Sequence, residues 1–382
     1  MEGQPPLVLT VYDKDLTYQG VVTRPLEVDA IARDNAVGEA SFILDADDDI
    51  TEALDEPGAR IVVQYRPDPV DDPHTLLYHV GGPVQSLDGT SGKASTKTYT
   101  ALDDWSLLGQ IMGRPVPAGG LASGQGTGAW ASTGPAETVV KAAVTANAAT
   151  VPTPIVVAPD LGRGETISVS LRMDLLADKL FPALDFAHVS ITLRQVDDEI
   201  VLDARAPVLH TVPVTERSGL VTGTYNLTRP TATRVMVAGG EVSGVTKFRQ
   251  VINAAAEAQW GFCGWAPLVT ATDTTSDAVM DAKGWESLNQ RGPRTGLAVE
   301  LAETDEWRYG VAFHLGDELP IRLDGAPLLT DRVSECRITW TKNAGLEVVP
   351  SIGRRTNDPN QILADAIAQV ARNARTTTTG RV

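Results

Sequence analysis

Near the start of the chain Leu7, Leu9 and Val11 alternate with Val8, Thr10 and Tyr12, the period-two pattern of a strand with one face on a core. Leu26, Val28 and Ala30 alternate with Glu27, Asp29 and Ile31, and Ile61 to Tyr65 and Leu76 to Val80 are short β-branched or aromatic runs. Turn chemistry separates them at Pro57-Gly58, Pro67-Asp68-Pro69, Gly81-Gly82-Pro83 and Asp88-Gly89. Short strands at this spacing predict a sandwich or barrel over residues 1–105.

The period then changes. Leu102, Trp105, Leu108 and Met112 recur at helical spacing, and Asp103-Asp104 can start a helix there. The Gly-, Ala- and Ser-rich stretch from Pro115 to Pro135 predicts a surface loop. Pro135 and Glu137 open a helix through Ala149, with Val140, Val144 and Ala148 on one stripe. A further helix is expected over Leu171 to Leu180, then a hairpin of 189–193 and 200–204 turning at Asp197-Asp198. Residues 106–215 therefore form an α+β segment.

β patterning returns from Val221, in Arg234 to Ala238 and Thr246 to Asn253. A helix over Ser276 to Gln290 has Met280, Trp285 and Leu288 as inward candidates, and strands follow at 296–301, 318–323, 333–341 and 346–352. In the third of these, Cys336, Ile338 and Trp340 share one side while Glu335, Arg337 and Thr339 share the other, the mark of one buried and one wet face. Asp358 as N-cap and Pro359 at the first helical position start a last helix striped by Ile362, Leu363, Ala366, Ile367 and Val370. The expected divisions are 1–105, 106–215, 216–353 and 354–382.

Charge changes the picture more than bulk composition does. The 382 residues carry a formal charge of −17, with 7 basic and 20 acidic side chains in 1–105, 20 and 27 in 106–353, and 5 and 2 in 354–382. An acidic body repels phosphate, which argues against gripping nucleic acid. No apolar run approaches the ~20 residues of a membrane helix, and Leu7 to Val11 is too short, with acidic flanks, for a signal-peptide core. The two cysteines, Cys263 and Cys336, have no zinc-ligand spacing and are expected as buried thiols.

Chemistry-bearing motifs are sparse. The five histidines, at 74, 79, 188, 210 and 314, form no HxxxH pair. Gly92-Lys93 ends like a phosphate loop but is followed by Ala94 and lacks the first glycine, where Leu87 stands. Asp45, Asp47, Asp49 and Glu56 occupy positions 1, 3, 5 and 12 of a calcium loop, a weak metal candidate because Ile50 replaces the glycine its turn requires. Acidic pairs at Asp71-Asp72, Asp197-Asp198 and Asp305-Glu306 sit by turns or on alternating faces, poor geometry for a glycosidase. Trp260 and Trp265 beside Gly261, Cys263 and Gly264 are expected to form a packed corner, with sugar binding as the other reading. No catalytic or cofactor-binding residue emerges, and no enzyme activity is expected.

Five pieces in order carry a resemblance: the strand at Leu9 into Tyr12-Asp13-Lys14-Asp15; Leu102-Asp103-Asp104-Trp105-Ser106-Leu107-Leu108 running to Arg114-Pro115-Val116-Pro117; residues 230–240 from Pro230 to Gly240; Tyr309-Gly310-Val311-Ala312-Phe313-His314-Leu315-Gly316-Asp317; and residues 333–353. Together they make the chain resemble the hub-type minor tail proteins of actinobacteriophage siphoviruses, relatives of baseplate hubs and of the amino-terminal part of tail-associated lysins. The resemblance implies an α+β, mostly β fold: two small tube-forming β-barrels (1–105 and 216–353, the second with a helical insertion), an α+β middle domain and a C-terminal helix. It further implies a structural ring, a homotrimer, at the virion tail tip. Its partners would be the distal tail protein, the tape measure protein and downstream tip or fibre proteins, with DNA only passing through the channel. With no peptidase or lysozyme-like domain expected after residue 382, a cell-wall hydrolase is the weaker rival. A receptor- or glycan-binding module using Trp260, Trp265 and the loop at 118–134 is the stronger one.

Overall fold

A computed structural model describes residues 6–353 apart from 69–71, 73, 93, 121–123, 127, 154, 185–186, 216–219, 273, 293 and 305–306. The fold is α+β and mostly β, in several sheets. Twelve strands share the largest: β1 (Leu7–Tyr12), β2 (Tyr18–Val22), β3 (Glu27–Arg33), β4 (Glu39–Asp45), β5 (Arg60–Tyr65), β6 (Leu77–Gly89), β7 (Thr96–Leu102), β8 (Leu220–Thr228), β9 (Arg294–Leu301), β10 (Glu318–Ile321), β11 (Leu329–Thr341) and β12 (Gly345–Ile352). Their order is β8-β9-β12-β11-β3-β4-β7-β6-β5-β1-β2, with β10 beside β11. This path crosses from the first β-rich segment to the last one. The seam is the antiparallel pairing of β11 with β3, from Glu335↔Arg33 to Thr341↔Glu27.

The seam follows from the alternation. Val28 and Ala30 on β3 and Cys336 and Ile338 on β11 are fully buried and fall in one apolar core with Leu9, Phe42, Tyr99, Ile61, Leu297 and Ile321. On the wet face the seam is stapled by charge. Arg33 Nε donates to Glu335 Oε2 at 2.8 Å, and Arg337 is bidentate to Asp29 through Nε at 2.8 Å and Nη2 at 2.5 Å. Cross-strand charge pairs of this kind help fix register.

Gly81-Gly82-Pro83, expected as a turn, lies inside the 13-residue β6. Residues on its first half pair with β5 and those on its second half with β7, so the strand bends there from one partner to the other. A Cβ on Gly82 would collide with the Leu102 carbonyl oxygen and the Asp103 backbone. The glycine serves a close backbone approach rather than a reversal.

The middle segment has its own core of Trp105, Leu108, Ile111, Val140, Val144, Leu171, Leu180, Ile191 and Leu202 among others. α1 is the short Thr51–Asp55; α2, Ala136–Asn147, and α3, Leu176–Leu184, belong to the middle segment. The hairpin Ser190–Val196 and Glu199–Arg205 turns at Asp197, which takes φ 53°. Three expectations need correction here. Asp104–Gly109 is a 3-10 helix, and Met112 is exposed beyond it. Thr166–Leu171 is a strand paired with Trp130–Pro135, which shortens the expected loop, and the helix begins only at Leu176, after Met173 takes φ 62°. Gln125 ties the loop itself: it accepts from Val116 N and donates to the Val116 and Gly119 carbonyls.

Between β8 and β9 an inserted unit carries strands Arg234–Val242, Val245–Ile252 and Val269–Ala271 with α4, Ala254–Trp260, and α5, Asp277–Arg291. Its small core is Val235, Val237, Val251, Ala271, Met280 and Leu288. The insertion is thus α+β rather than merely helical. The strand at 234–242, expected as entry into the second β unit, belongs to this separate sheet. Of the expected inward residues of α5, Trp285 is 41% exposed, because it lies on the face turned away from that sheet. The C-terminal helix expected from Asp358, with its stripe through Val370, lies outside the described residues.

Candidate functional site

The polar chemistry gathers where the three parts of the chain meet. Asp103 follows β7 in extended conformation and caps the 3-10 helix, its Oδ1 accepting from Trp105 N at 2.9 Å. Asp104, fully buried, accepts from Arg60 Nη2 of β5 at 2.5 Å, and Arg60, 3% exposed, donates from Nε to Gln195 Oε1 of the middle hairpin at 3.3 Å. Burial raises the Asp104 carboxyl to about 6 against the pull of Arg60. Burial likewise raises that of Asp103 to about 7, against bonds from the Gly38 and Trp105 backbone.

The turn after β3 makes a second contact. Asp34 accepts from Ser190 Oγ of the middle segment and from Arg332 Nη1 of β11 at 3.0 Å. Asn35, at φ 49°, donates from Nδ2 to Val189 O and accepts from Ile191 N through Oδ1, each at 2.9 Å. Gly316, at φ 85°, closes over this point; a Cβ there would press on Ser190 and Asp34.

A third contact joins the middle segment to the second β-rich one. Asp317, 1% exposed, accepts from Arg205 Nη1 at 2.7 Å and from Val208 N and His314 N at 2.8 Å each, while Arg205 Nη2 also reaches Leu315 O. Burial pushes the Asp317 carboxyl up, but the bonds from Val208, Arg205 and His314 outweigh it and hold the group below its ordinary value. Beside it, Glu318 Oε1 meets His188 Nδ1 at 2.7 Å. Every part is pinned to the other two by buried or half-buried hydrogen-bonded charge. These hydrogen-bonded charges make a joint between the three parts of the chain.

Two of the motif stretches sit in this joint: 102–108 supplies Asp103, Asp104 and Trp105, and 309–317 supplies Gly316 and Asp317. Tyr309 is a buried core aromatic stacked on Tyr65 at 6.2 Å and edge-on to His79 at 6.0 Å. His79 is buried, contacts the Ala30 carbonyl through Nε2 at 3.2 Å, and is pushed by burial down to about 4, so its ring is neutral at pH 7. Arg60, Asn35, Gln195 and Arg205 carried no sequence signal, since their partners are 44 to 156 positions away.

The other singled-out residues fall elsewhere. Asp45, Asp47 and Asp49 are exposed around the end of β4 and the turn after it, and Glu56 follows α1. Among the described residues no three His, Cys, Asp or Glu side chains converge as a metal site, and these four are not gathered into one. Ile50, in the calcium-loop glycine position, packs on the main core, and its Cδ1 lies against Gly20. Asp197-Asp198 forms the hairpin turn; Asp71 and the Asp305-Glu306 pair lie outside the described residues. Cys263 is exposed, contrary to expectation, and unpaired with the buried Cys336. Trp265 is 53% exposed rather than packed in a corner, because its segment runs along the edge of the small inserted sheet.

This architecture is that of phage tail proteins. A prophage tail protein gp18 from Listeria monocytogenes superposes with a TM-score of 0.56 at 12% identity, over 96% of this chain and 99% of its own. The 43 kDa tail protein of prophage MuSo2 from Shewanella oneidensis gives 0.55 at 12% identity, over 91% and 98%. A tail protein from Neisseria meningitidis gives 0.50 at 10% identity, over 91% and 96%. No curated protein matches the chain in sequence. Residues 8–354 match the model of the Siphovirus ReqiPepy6 Gp37-like proteins, and the chain belongs to that family.

Proposed function

We propose that the protein is a structural hub of the siphovirus tail tip, closing the end of the tail tube as a ring, a homotrimer. The observation that carries this reading is the open twelve-stranded sheet. It holds β-rich units from both ends of the described chain, and among the described residues its path ends in β2 and β8, each paired on one side only. Unpaired strand edges invite pairing with another chain, and a closed ring satisfies them without leaving a growing end. In this reading residues 1–105 and 216–353 are the two tube-forming units, so three copies set six units around a channel. The middle domain at 106–215 braces them from outside through the Arg60–Gln195, Asp34–Ser190 and Asp317–Arg205 contacts. The distal tail protein, the tape measure protein and tip or fibre proteins are the neighbours. The net −13 of residues 1–105, from 7 basic and 20 acidic side chains, supports a lumen that repels DNA during ejection.

The test is the mass and shape of the purified full-length protein. Native mass spectrometry with negative-stain imaging is expected to show a threefold particle with a central hole. A monomer at all concentrations up to those used for imaging would overturn the ring.

A further inference from the structure

α5 has two different faces. Met280 and Leu288, at 0% and 1% exposure, pack on the inserted sheet. Ala278, Ala282, Trp285 and Asn289 follow one another at steps of four, three and four residues, which puts them on one stripe of the helix. That stripe looks across a cleft of about 660 Å³ at Thr166–Ser168 of the middle sheet and at Pro182 and Ala183 of α3. The volume lies within the range of small-molecule sites, roughly 300–1,000 Å³. The two alanines of α5 and Ala183 leave the space, and the part-exposed Trp285 lines it.

The rim is polar and partly fixed in place. Asp281 is held by a bidentate ion pair, Arg249 Nε to Oδ1 at 2.7 Å and Nη2 to Oδ2 at 2.8 Å. Glu286 stands where this cleft meets a second chamber of about 380 Å³ that also contains Lys179, Lys283 and Arg291. The surrounding protein raises the Glu286 carboxyl above its ordinary value, against Lys179 and Lys283. A lone exposed indole bordered by carboxylates and an amide suits a flat ring with an apolar C–H face and hydroxyls at its edge. An apolar peptide helix would need a broader greasy floor, and the acids disfavour nucleic acid.

We infer that the cleft between α5 and the Thr166–Leu171 strand binds an oligosaccharide, one sugar ring stacked on Trp285 with its hydroxyls on Asp281, Glu286 and Asn289. Lys179, Lys283 and Arg291 in the adjoining chamber extend the site toward acidic substituents on the same glycan. The inference is independent of ring formation, because every residue it uses lies within one chain.

The experiment is saturation-transfer NMR on the full-length protein with three probes: cellohexaose, chitohexaose and a sulfated heparin-derived hexasaccharide. Transfer to at least one probe is expected, weakened roughly tenfold or more in Kd by Trp285→Ala, the scale of a lost aromatic contact of about 1.4 kcal/mol. Ala282→Phe, which fills the cleft from the same wall, is expected to do the same, while Trp265→Ala leaves binding unchanged. Melting curves establish that each variant is folded. No transfer to any of the three probes, or transfer undiminished in both Trp285→Ala and Ala282→Phe, overturns the site.

Discussion

Asp104 and Arg60 form a buried pair whose two halves differ in what they can do when left alone. The Asp104 carboxyl sits at about 6 against an ordinary 3.8. At about 1.4 kcal/mol per unit, burial therefore already costs the ionised group roughly 3 kcal/mol at neutral pH. If Arg60 is replaced by Met, which keeps most of the volume, the acid escapes by taking up a proton. Full neutralisation at pH 7 costs about 4 kcal/mol, so the increment is about 1 kcal/mol, with roughly another 1 kcal/mol for the bond to Gln195. Arg60→Met is thus expected to cost about 2 kcal/mol at pH 7 and about 3 at pH 8. Sign and window agree: a raised carboxyl favours the folded state while protonated, and that advantage is lost as pH rises through about 6 in the wild type and through a higher value in the variant. Asp104→Leu has no such escape, because a guanidinium stays charged. It strands Arg60 in the interior at a cost of roughly 3–5 kcal/mol that does not vary between pH 6 and 8. The double variant recovers much of the loss. Urea unfolding of all four proteins at pH 6, 7 and 8 measures the cycle. Equal costs for the two single variants, with no pH dependence for Arg60→Met, would refute the argument.

Other outcomes follow from the same geometry. Gly82→Ala is expected to destabilise by about 3 kcal/mol or more, since the added carbon meets backbone that cannot rotate away; a fall in urea midpoint of less than 1 kcal/mol equivalent would contradict the close approach. His79 is held neutral at about 4, so the wild type loses stability as pH falls from 6.5 toward 4, by up to about 3 kcal/mol; His79→Leu should flatten that part of the pH–stability curve, and an unchanged slope counts against it. Of the two free thiols, the exposed Cys263 and the buried Cys336, one should react with Ellman's reagent in the native protein and both in denaturant; two fast native equivalents would place Cys336 wrongly.

Strand patterning was readable wherever one face is dry. Val28 and Ala30, and Cys336 and Ile338, were found by alternation, because burial of one face writes period two into the chain. That these two runs pair with each other was not readable, since nothing local in 27–33 refers to 335–341. Gly81-Gly82-Pro83 misled because glycine marks both reversals and close approaches, and the partner at Leu102 decides which. Leu171 to Leu180 carried helical spacing, yet sheet pairing with 130–135 took its first residue and left the helix to start at Leu176. Trp285 followed the apolar stripe of α5 only in chemistry; its position is on the opposite face. The joint was half visible, in Asp103-Asp104 and Asp317, while Arg60, Arg205 and Asn35 are ordinary in sequence and acquire meaning from partners far along the chain.

The seam between β3 and β11 also fixes the order in which the molecule can come into being. A ribosome that has released residues 1–105 has made β3 and its apolar face but not the strand that completes its other edge, which follows some three hundred residues later. Until β11 emerges, that nascent edge is open to wrong partners, and the closure of so long a loop is slow. The pairing that joins the two β-rich segments into one sheet therefore waits for β11, however early the strands of the first segment have formed.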